Sequence, residues 1–306
     1  MITVAIPTFR RPELLRSLLQ VLPARLDEAR AHGPVEVVVV DNDPEGSAHP
    51  VVSEAAFDGL RYVLEPAPGI AAARNAALAA AQGSDVLVFL DDDESPREGW
   101  LPALLSTWEQ TGAAAVMGRV ISVFDHDVDP WVLATGVFRR RPRVTGTVIP
   151  AAASGNLLLD VAQVGRRGVT FDQTLGLAGG EDNLFSRLLV ARGGTIVWCN
   201  ESEVEDLVPA SRTTRAWAVR RAFNGGNSAV TVALRLEPRW YRRVLVRAAG
   251  IVGGIARSSI GWLWHVWGRA TGDLRADARG LRTSYRGRGM VAAACGHLHH
   301  EYARGA

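Results

Sequence analysis

The chain has no lysine: all 34 of its basic residues are arginine, and 32 acidic residues leave a formal net charge of +2. A charge this close to balance gives no electrostatic reason to expect a nucleic-acid partner. The two cysteines, Cys199 and Cys295, stand far apart and form no metal-binding spacing, which is typical of a reducing compartment. The first residues contain neither a basic segment nor an apolar core of signal-peptide length, so we predict a cytoplasmic protein.

The first ninety residues alternate between short apolar strands and helices. The apolar spacing predicts strands at 2–6, 35–40, 60–64 and 86–90, and helices at 13–22 and 70–81. This alternation favours an α/β fold with a mostly parallel sheet and helices on both faces. In such sheets ligands bind beyond the carboxyl ends of the strands, where Thr8, Asp41 and the run from Asp91 to Asp93 converge.

Three consecutive carboxylates, Asp91, Asp92 and Asp93, follow the apolar run of the fourth strand. Like charges this close favour a bound cation, and carboxylate oxygens suit a hard divalent ion such as Mg²⁺ or Mn²⁺. Such an ion is commonly held by one or two carboxylates together with substrate phosphates, which predicts a nucleotide diphosphate ligand. The alternative is a solvated acidic turn in which Asp91 or Asp93 caps a helix that Pro96 opens.

Short motifs in a fixed order resemble glycosyltransferase family 2, whose members have the GT-A fold. The motifs are Val4 to Thr8, Val39 to Asn42, Gly69 to Asn75, Phe89 to Asp93, and Gly180 to Asp182. They extend over about the first two thirds of the chain. The resemblance implies an enzyme that moves one sugar from a nucleotide diphosphate sugar onto a hydroxyl acceptor, with inversion and with Mn²⁺ or Mg²⁺ as cofactor.

The resemblance also implies roles for single residues. Those implied to bind the nucleotide sugar are Pro7, Thr8, Arg10, Asp41, Arg74, Asp91, Asp92, Gly155, Asn156 and Arg212. Asp91 and Asp93 match the family's Asp-X-Asp element, in which Asp93 is the expected direct metal ligand. Glu181 and Asp182 match the acidic pair that contains the general base, for which we predict Asp182 with Glu181 as the alternative. Without the resemblance, two acids at a helix start would simply complement the helix dipole.

Further along the chain the match to the family is less regular. Many relatives carry histidine at the position of Asp206, which can still bind Mn²⁺ but cannot donate to phosphate. We therefore treat Asp206 as a weak metal candidate. Arg212 and the run Gly225-Gly226-Asn227 resemble the basic helix and flexible loop that close over the donor. The arginines between 139 and 143 form a basic cluster that suits an anionic acceptor or lipid head group, with a solvated loop as the alternative.

Composition changes beyond Pro238, where apolar residues mix with arginine and glycine and end in Trp262, Trp264 and Trp267. This favours an interfacial helix or helical hairpin over 240–270, placing the site beside a lipid-linked acceptor on the inner face of the cell membrane. The alternative is a helical subdomain that packs its tryptophans against the catalytic domain or a second protomer.

The sequence thus predicts a GT-A catalytic domain at 1–237, with a nucleotide-binding half at 1–112 and an acceptor half at 113–237, and a helical region at 238–306. Two other functions remain open. A sugar-phosphate nucleotidyltransferase shares acidic metal ligands, but it normally has a glycine-rich triphosphate loop, and the turn from Pro7 to Pro12 has no glycine. The second alternative is a non-catalytic, membrane-associated scaffold of the same fold.

Overall fold

The computed structural model describes residues 1–176 and 179–298, so the last eight residues of the predicted helical region lie outside the described part. The chain divides into two compact units. The first unit comprises residues 1–121, 140–176 and 181–206, and the second comprises 122–139, 179–180 and 207–298 of the described residues. The domain boundary that we place at residue 237 stays a prediction.

The first unit is built on a mixed sheet. In the described residues the strands are β1 (Ile2–Thr8), β2 (Val35–Asp41), β3 (Leu60–Leu64), β4 (Val86–Phe89), β5 (Glu94–Pro96), β6 (Ala115–Val123), β7 (Leu157–Asp160) and β8 (Ile196–Leu207). Their order is β3-β2-β1-β4-β7-β6-β8-β5. Strands β1 to β4 are parallel, whereas β7 runs antiparallel to β4 and β6, and β5 runs antiparallel to β8. The predicted α/β fold is confirmed.

The helices are α1 (Pro12–Asp27), α2 (His49–Ala55), α3 (Ile70–Ala80), α4 (Trp100–Thr111), α5 (Pro130–Thr135), α6 (Val161–Arg166), α7 (Glu181–Ala191), α8 (Arg215–Leu236), α9 (Trp240–Thr271) and α10 (Leu274–Ala294). The predicted strands and helices of the first ninety residues are present, but α1 continues through Pro23 to Asp27, beyond the predicted end at residue 22, and α2 was not predicted. Buried strand β1 separates two apolar layers: Val4 packs in the layer of Leu15, and Ala5 packs in the layer of Ala77.

The prediction that Pro96 opens a helix is wrong. Pro96 ends the short strand β5, whose backbone pairs with Val204 to Asp206 of β8, and the next helix starts at Trp100 with Gly99 as its N-cap. Asp91 and Asp93 therefore do not cap this helix. The backbone nitrogen of Arg97 donates to the Glu203 carbonyl of β8 at 3.0 Å, and no local sequence pattern indicates this distant pairing.

The predicted flexible loop at Gly225-Gly226-Asn227 is also wrong, because these residues lie inside α8. Of the two glycines, Gly226 serves close helix packing. A Cβ atom on Gly226 would lie 2.0 Å from the carbonyl oxygen of Arg286 in α10, so only glycine permits this crossing.

The predicted C-terminal helical region is confirmed, with 240–270 forming one helix, α9, rather than a hairpin of its own, and α9 packs against α10. Glycines recur every seven residues along both helices, at Gly254, Gly261 and Gly268 in α9 and at Gly280 and Gly287 in α10. A Cβ at Gly261 would lie 2.4 Å from the amide nitrogen of Ser284, and one at Gly268 would lie 2.2 Å from that of Asp277. The glycines therefore bring the two backbones together. By length and composition alone, α9 also qualifies as a candidate membrane span, a test that core helices of soluble proteins can pass.

Candidate active site

The carboxyl ends of β1, β2 and β4 bring the predicted nucleotide residues to one edge of the sheet. Thr8 pairs in register with Asp41, and Ala5 pairs with Phe89 at the end of β4. Across this edge the hydroxyl of buried Thr8 donates to Oδ2 of Asp92 at 2.7 Å. The convergence that the strand order predicts is therefore present in the structure.

Asp41 is fully buried, and its carboxylate accepts hydrogen bonds from the protein itself. The backbone nitrogens of Asp43 and Ala48 donate at 3.0 and 2.7 Å, and the Tyr62 hydroxyl donates at 3.1 Å. Asp41 thus shapes the loop after β2. Its contact with a base or ribose stays a prediction.

Of the two arginines that follow Thr8, only the second contacts the acid run. Arg10, in the left-handed region at φ 53°, donates to Asp43 at 3.1 Å, whereas Pro7, earlier in the same motif, is buried inside β1. Arg11 donates from Nη1 to Asp92 at 2.9 Å and to Asp93 at 3.2 Å. The sequence analysis did not identify Arg11 as a site residue. Its position at the end of the first strand's motif, close to the expected edge where the aspartates lie, was a signal that could have identified it.

Asp92 is the most buried member of the run from Asp91 to Asp93. Burial raises the pKa of Asp92 to about 6, although the positive charge of Arg11 and the hydrogen bond from Thr8 both oppose the rise. Its two oxygens are held by these two partners, so Asp92 is placed to orient the run rather than to reach a ligand.

Arg74 links the run to the acidic pair at the start of α7. From α3, its buried guanidinium donates from Nη1 to Oε1 of Glu181, and its Nη2 lies 3.7 Å from Oδ1 of Asp91. The guanidinium also lies 5.8 Å from the ring centroid of Phe171. Withdrawal from water raises the pKa of Asp91, Arg74 opposes this, and the charges of Asp93 and Asp182 add to it. These acidic groups therefore lie within electrostatic reach of one another.

The two acids of the predicted base pair differ in accessibility. Glu181 is 4% exposed, pairs with Arg74, and leaves its buried Oε2 without a hydrogen-bond partner among the described residues. Burial raises the pKa of Glu181 to about 7 against the opposing charge of Arg74. Asp182 is only partly buried, and its Oδ1 accepts from the backbone nitrogen of Asn183 at 2.6 Å. Asp182 is therefore the member that a substrate can reach.

The backbone of Gly155 packs directly against two acidic side chains of the site. A Cβ at this position would lie 2.6 Å from Oε1 of Glu94 and 3.1 Å from Oδ2 of Asp91. Glu94, which sequence reasoning also missed, accepts from the backbone nitrogen of Asp91 at 3.1 Å, and burial raises its pKa well above the ordinary value. An acid directly after three aspartates was the only sequence signal for it.

Asn156 does not join the acid cluster. It is fully buried in the left-handed region at φ 52°, and its amide connects separate parts of the first unit. Oδ1 accepts from the indole of Trp100 at 2.7 Å, and Nδ2 donates to the carbonyl of Ser202 at 3.0 Å. The structure thus gives Asn156 a cross-linking position, and its predicted contact with the donor sugar stays a prediction.

The two remaining predicted residues lie in different units. Asp206 stands opposite Glu94 in the β5–β8 ladder of the first unit, and Arg212 ends a 3₁₀ turn, Ala210–Arg212, in the second. Among the described residues no group of three or more His, Cys, Asp or Glu is arranged to hold a metal ion. Asp91 and Asp93 still offer the oxygen ligands that Mg²⁺ or Mn²⁺ takes when substrate phosphates supply the others.

Comparison with known proteins gives the family. The model of "Glycosyl transferase family 2" matches residues 3–162. The succinoglycan biosynthesis protein ExoM of Rhizobium meliloti is 36% identical over 231 residues, covering 74% of this chain and 73% of ExoM. The pre-mycofactocin glycosyltransferase of Mycobacterium tuberculosis is 30% identical over 243 residues, covering 74% of this chain and 47% of that protein.

A solved structure shares the fold. The crystal structure of S. aureus TarS 1-349 in complex with UDP-GlcNAc is 15% identical, covers 93% of this chain and 91% of that one, and has a TM-score of 0.53. The predicted fold and enzyme class are thus confirmed, while the metal, the base and the single site residues remain predictions. The chain belongs to glycosyl transferase family 2 and is a nucleotide-sugar glycosyltransferase with the GT-A fold.

Proposed function

We propose that the protein transfers one sugar from a nucleotide diphosphate sugar to a hydroxyl acceptor by direct displacement with inversion. The observation that supports this most is the arrangement at the sheet edge: buried Arg74 pairs with Glu181, the chain neighbour of Asp182, and its Nη2 lies 3.7 Å from Oδ1 of Asp91. Acids at a strand end, with Arg74 beside them, fit a donor diphosphate on one side and an acceptor hydroxyl on the other.

The donor side is formed by Asp91 and Asp93, which we propose as ligands of Mg²⁺ or Mn²⁺, with Asp206 as a weaker candidate. Such an ion, when bound, would neutralise the diphosphate as it leaves. Arg11 holds Asp93 in place at 3.2 Å. Because Gly155 has no side chain, its backbone can pack directly against the carboxylates of Asp91 and Glu94.

The acceptor side is formed by Asp182. The acceptor oxygen attacks the anomeric carbon, the bond from that carbon to the diphosphate oxygen breaks, and the hydroxyl proton passes to the Asp182 carboxylate. Glu181 is less suited because Arg74 occupies one of its oxygens and burial removes the other from water. No general acid is required when the leaving group is a metal-bound diphosphate, in contrast to glycoside hydrolysis.

A thermal-shift panel tests the donor assignment. Because UDP-GlcNAc is bound in the TarS structure of the same fold, UDP is the first nucleotide to test, followed by GDP and dTDP. Ligand that binds only the folded state raises the melting temperature, by about 2.7 kcal/mol of stability at a hundredfold excess over Kd. A shift with any of the three supports the proposal, and no shift with any of them, with or without Mn²⁺, contradicts it.

We further propose that α9 contacts the inner face of the cell membrane. Six residues at helical spacing form what we term the apolar face of α9, each about half exposed or more: Leu245, Val252, Ile255, Leu263, Val266 and Trp267. Two arginines of α9 bond to α10 instead, Arg247 to the Ala294 carbonyl at 2.5 Å and Arg257 to the Met290 sulfur at 3.4 Å. The apolar face is thus free of their charges, which suits a lipid interface and a lipid-linked acceptor.

Vesicle flotation tests this contact. The double variant Val252→Asp/Leu263→Asp should lose vesicle binding, whereas the matched control Leu14→Asp/Val21→Asp, on the partly exposed surface of α1, should float like the wild type. If α9 packs against a second copy instead, the α9 variant will change the sedimentation coefficient of the protein and leave flotation unaltered.

A further inference from the structure

The second unit contains a cavity of about 590 Å³ where the turn between α9 and α10 meets the end of α5. Its walls include three arginines, Arg139, Arg275 and Arg279, together with Asp273. They also include Leu133 and Leu274, which are 49% and 42% exposed. The lining thus combines concentrated positive charge with exposed apolar side chains.

The positive charge of this cavity is not balanced locally. Within the described part of the chain no carboxylate oxygen lies within 4 Å of the three guanidinium groups that line it. Asp273 is used as the N-cap of α10, where its Oδ1 accepts from the backbone nitrogens of Arg275 and Ala276 at 2.9 and 3.1 Å. Three positive charges and one negative charge leave the lining at +2.

Two arginines of α10 are anchored to the carbonyl end of α5. Nε of Arg279 donates to the Ala134 carbonyl at 3.4 Å, and Nη1 of Arg282 donates to the Thr135 carbonyl at 2.8 Å. Burial lowers the pKa of Arg282, and the charges of Arg286 and Arg279 lower it further. Arg279 is the one of these two arginines that lines the cavity, and an anchored guanidinium group loses little freedom when it binds an anion.

We propose that this cavity binds the phosphate of an anionic membrane phospholipid. Arginine forks match phosphate oxygens, while Leu133 and Leu274 offer apolar contact to the part of a lipid next to its head group, which free phosphate lacks. The cavity wall includes Gly272, directly after the last residue of α9, so it stands at the end of the helix that we propose to lie on the membrane. The inference rests on that membrane contact and adds a preference for the head group.

Vesicles of two compositions separate the site from the general membrane contact. Full-length protein should bind phosphatidylcholine vesicles that contain phosphatidylglycerol more tightly than vesicles of phosphatidylcholine alone. Arg275→Gln should lower the affinity for the anionic vesicles about tenfold and leave the neutral ones unchanged. Arg288→Gln is the matched control, because it removes the same charge from an exposed site on α10 outside the cavity.

Each outcome decides the proposal. A basic residue near an anionic surface contributes about fivefold in affinity wherever it stands, so equal losses for Arg275→Gln and Arg288→Gln overturn it. Equal binding of wild type to both vesicles also overturns it while leaving the α9 contact intact, and binding to neither overturns both. Inorganic phosphate distinguishes a lipid from a free anion. If phosphate raises the melting temperature of the wild type but not of Arg275→Gln, while both proteins bind the anionic vesicles equally, the cavity binds free phosphate and the lipid assignment is wrong.

Discussion

Replacing Gly226 by alanine should destabilise the protein, whereas the same change at Gly225 should stabilise it. Both residues lie in the interior of α8, so both gain about 1 kcal/mol of helix propensity on substitution. A Cβ at Gly225 meets nothing within 4 Å, but one at Gly226 would lie 2.0 Å from the backbone carbonyl oxygen of Arg286. That oxygen belongs to α10 and cannot rotate away, so the helices must separate.

The expected difference follows from the cost of overpacking, about 1 to 3 kcal/mol, and we expect the upper end because a backbone atom is struck. At about 2 °C per kcal/mol or more, the midpoint of thermal unfolding should be about 6 °C lower for Gly226→Ala than for Gly225→Ala. Circular dichroism at 222 nm reads this directly. Equal midpoints for the two variants would refute the close α8–α10 crossing and would favour a flexible glycine loop instead.

Three further predictions concern the acid cluster and its surroundings. Asp93→Ala should remove most of the affinity that Mn²⁺ adds to nucleoside diphosphate binding, and equal affinity of the wild type in excess chelator would contradict the metal. Because the raised pKa of Glu181 means that the folded state binds the extra proton, stability should fall as the pH rises from about 4.5 to 7, by at most about 3 kcal/mol, and Glu181→Gln should remove that part of the slope in urea titrations. Asn156→Ala should cost about 3 kcal/mol of stability through lost buried hydrogen bonds, and the donor KM of this variant tests the predicted sugar contact, because loss of that contact raises KM and a purely cross-linking position leaves it nearly unchanged.

The strand and helix order of the nucleotide half was predictable because each element has a local cause. Strand β1 is continuously apolar since both its faces are buried, and α1 repeats leucine at helical spacing. The position of Thr8 beside Asp92 follows from strand order, because parallel strands end at one edge. In contrast, the pairing of Pro96 with β8 joins residues about a hundred positions apart, and no local pattern encodes it.

The side-chain contacts within the site could not be predicted from the sequence, because they depend on the direction in which each side chain leaves its loop. The pair Arg10-Arg11 offers two guanidinium groups that the sequence does not distinguish, and in the structure Arg10 lies in the left-handed region while Arg11 meets Asp92 and Asp93. Likewise Glu94 packs against Gly155, which lies on a distant segment, and no local pattern indicates this contact. The glycines of α9 had the same ambiguity, since spacing by seven predicts close helix contact only once the partner helix is known.

The most direct test of the proposed chemistry is the rate of nucleoside diphosphate release in the presence of acceptor, measured for Asp182→Asn and Glu181→Gln side by side. Asparagine keeps the shape of aspartate but cannot take a proton, so Asp182→Asn should bind donor normally while turnover falls about 10²- to 10⁴-fold, or roughly 3 to 5 kcal/mol of barrier. Glu181→Gln should lose less. Normal turnover in Asp182→Asn together with an inactive Glu181→Gln would exchange the two roles, and normal turnover in both would contradict the carboxylate-base mechanism.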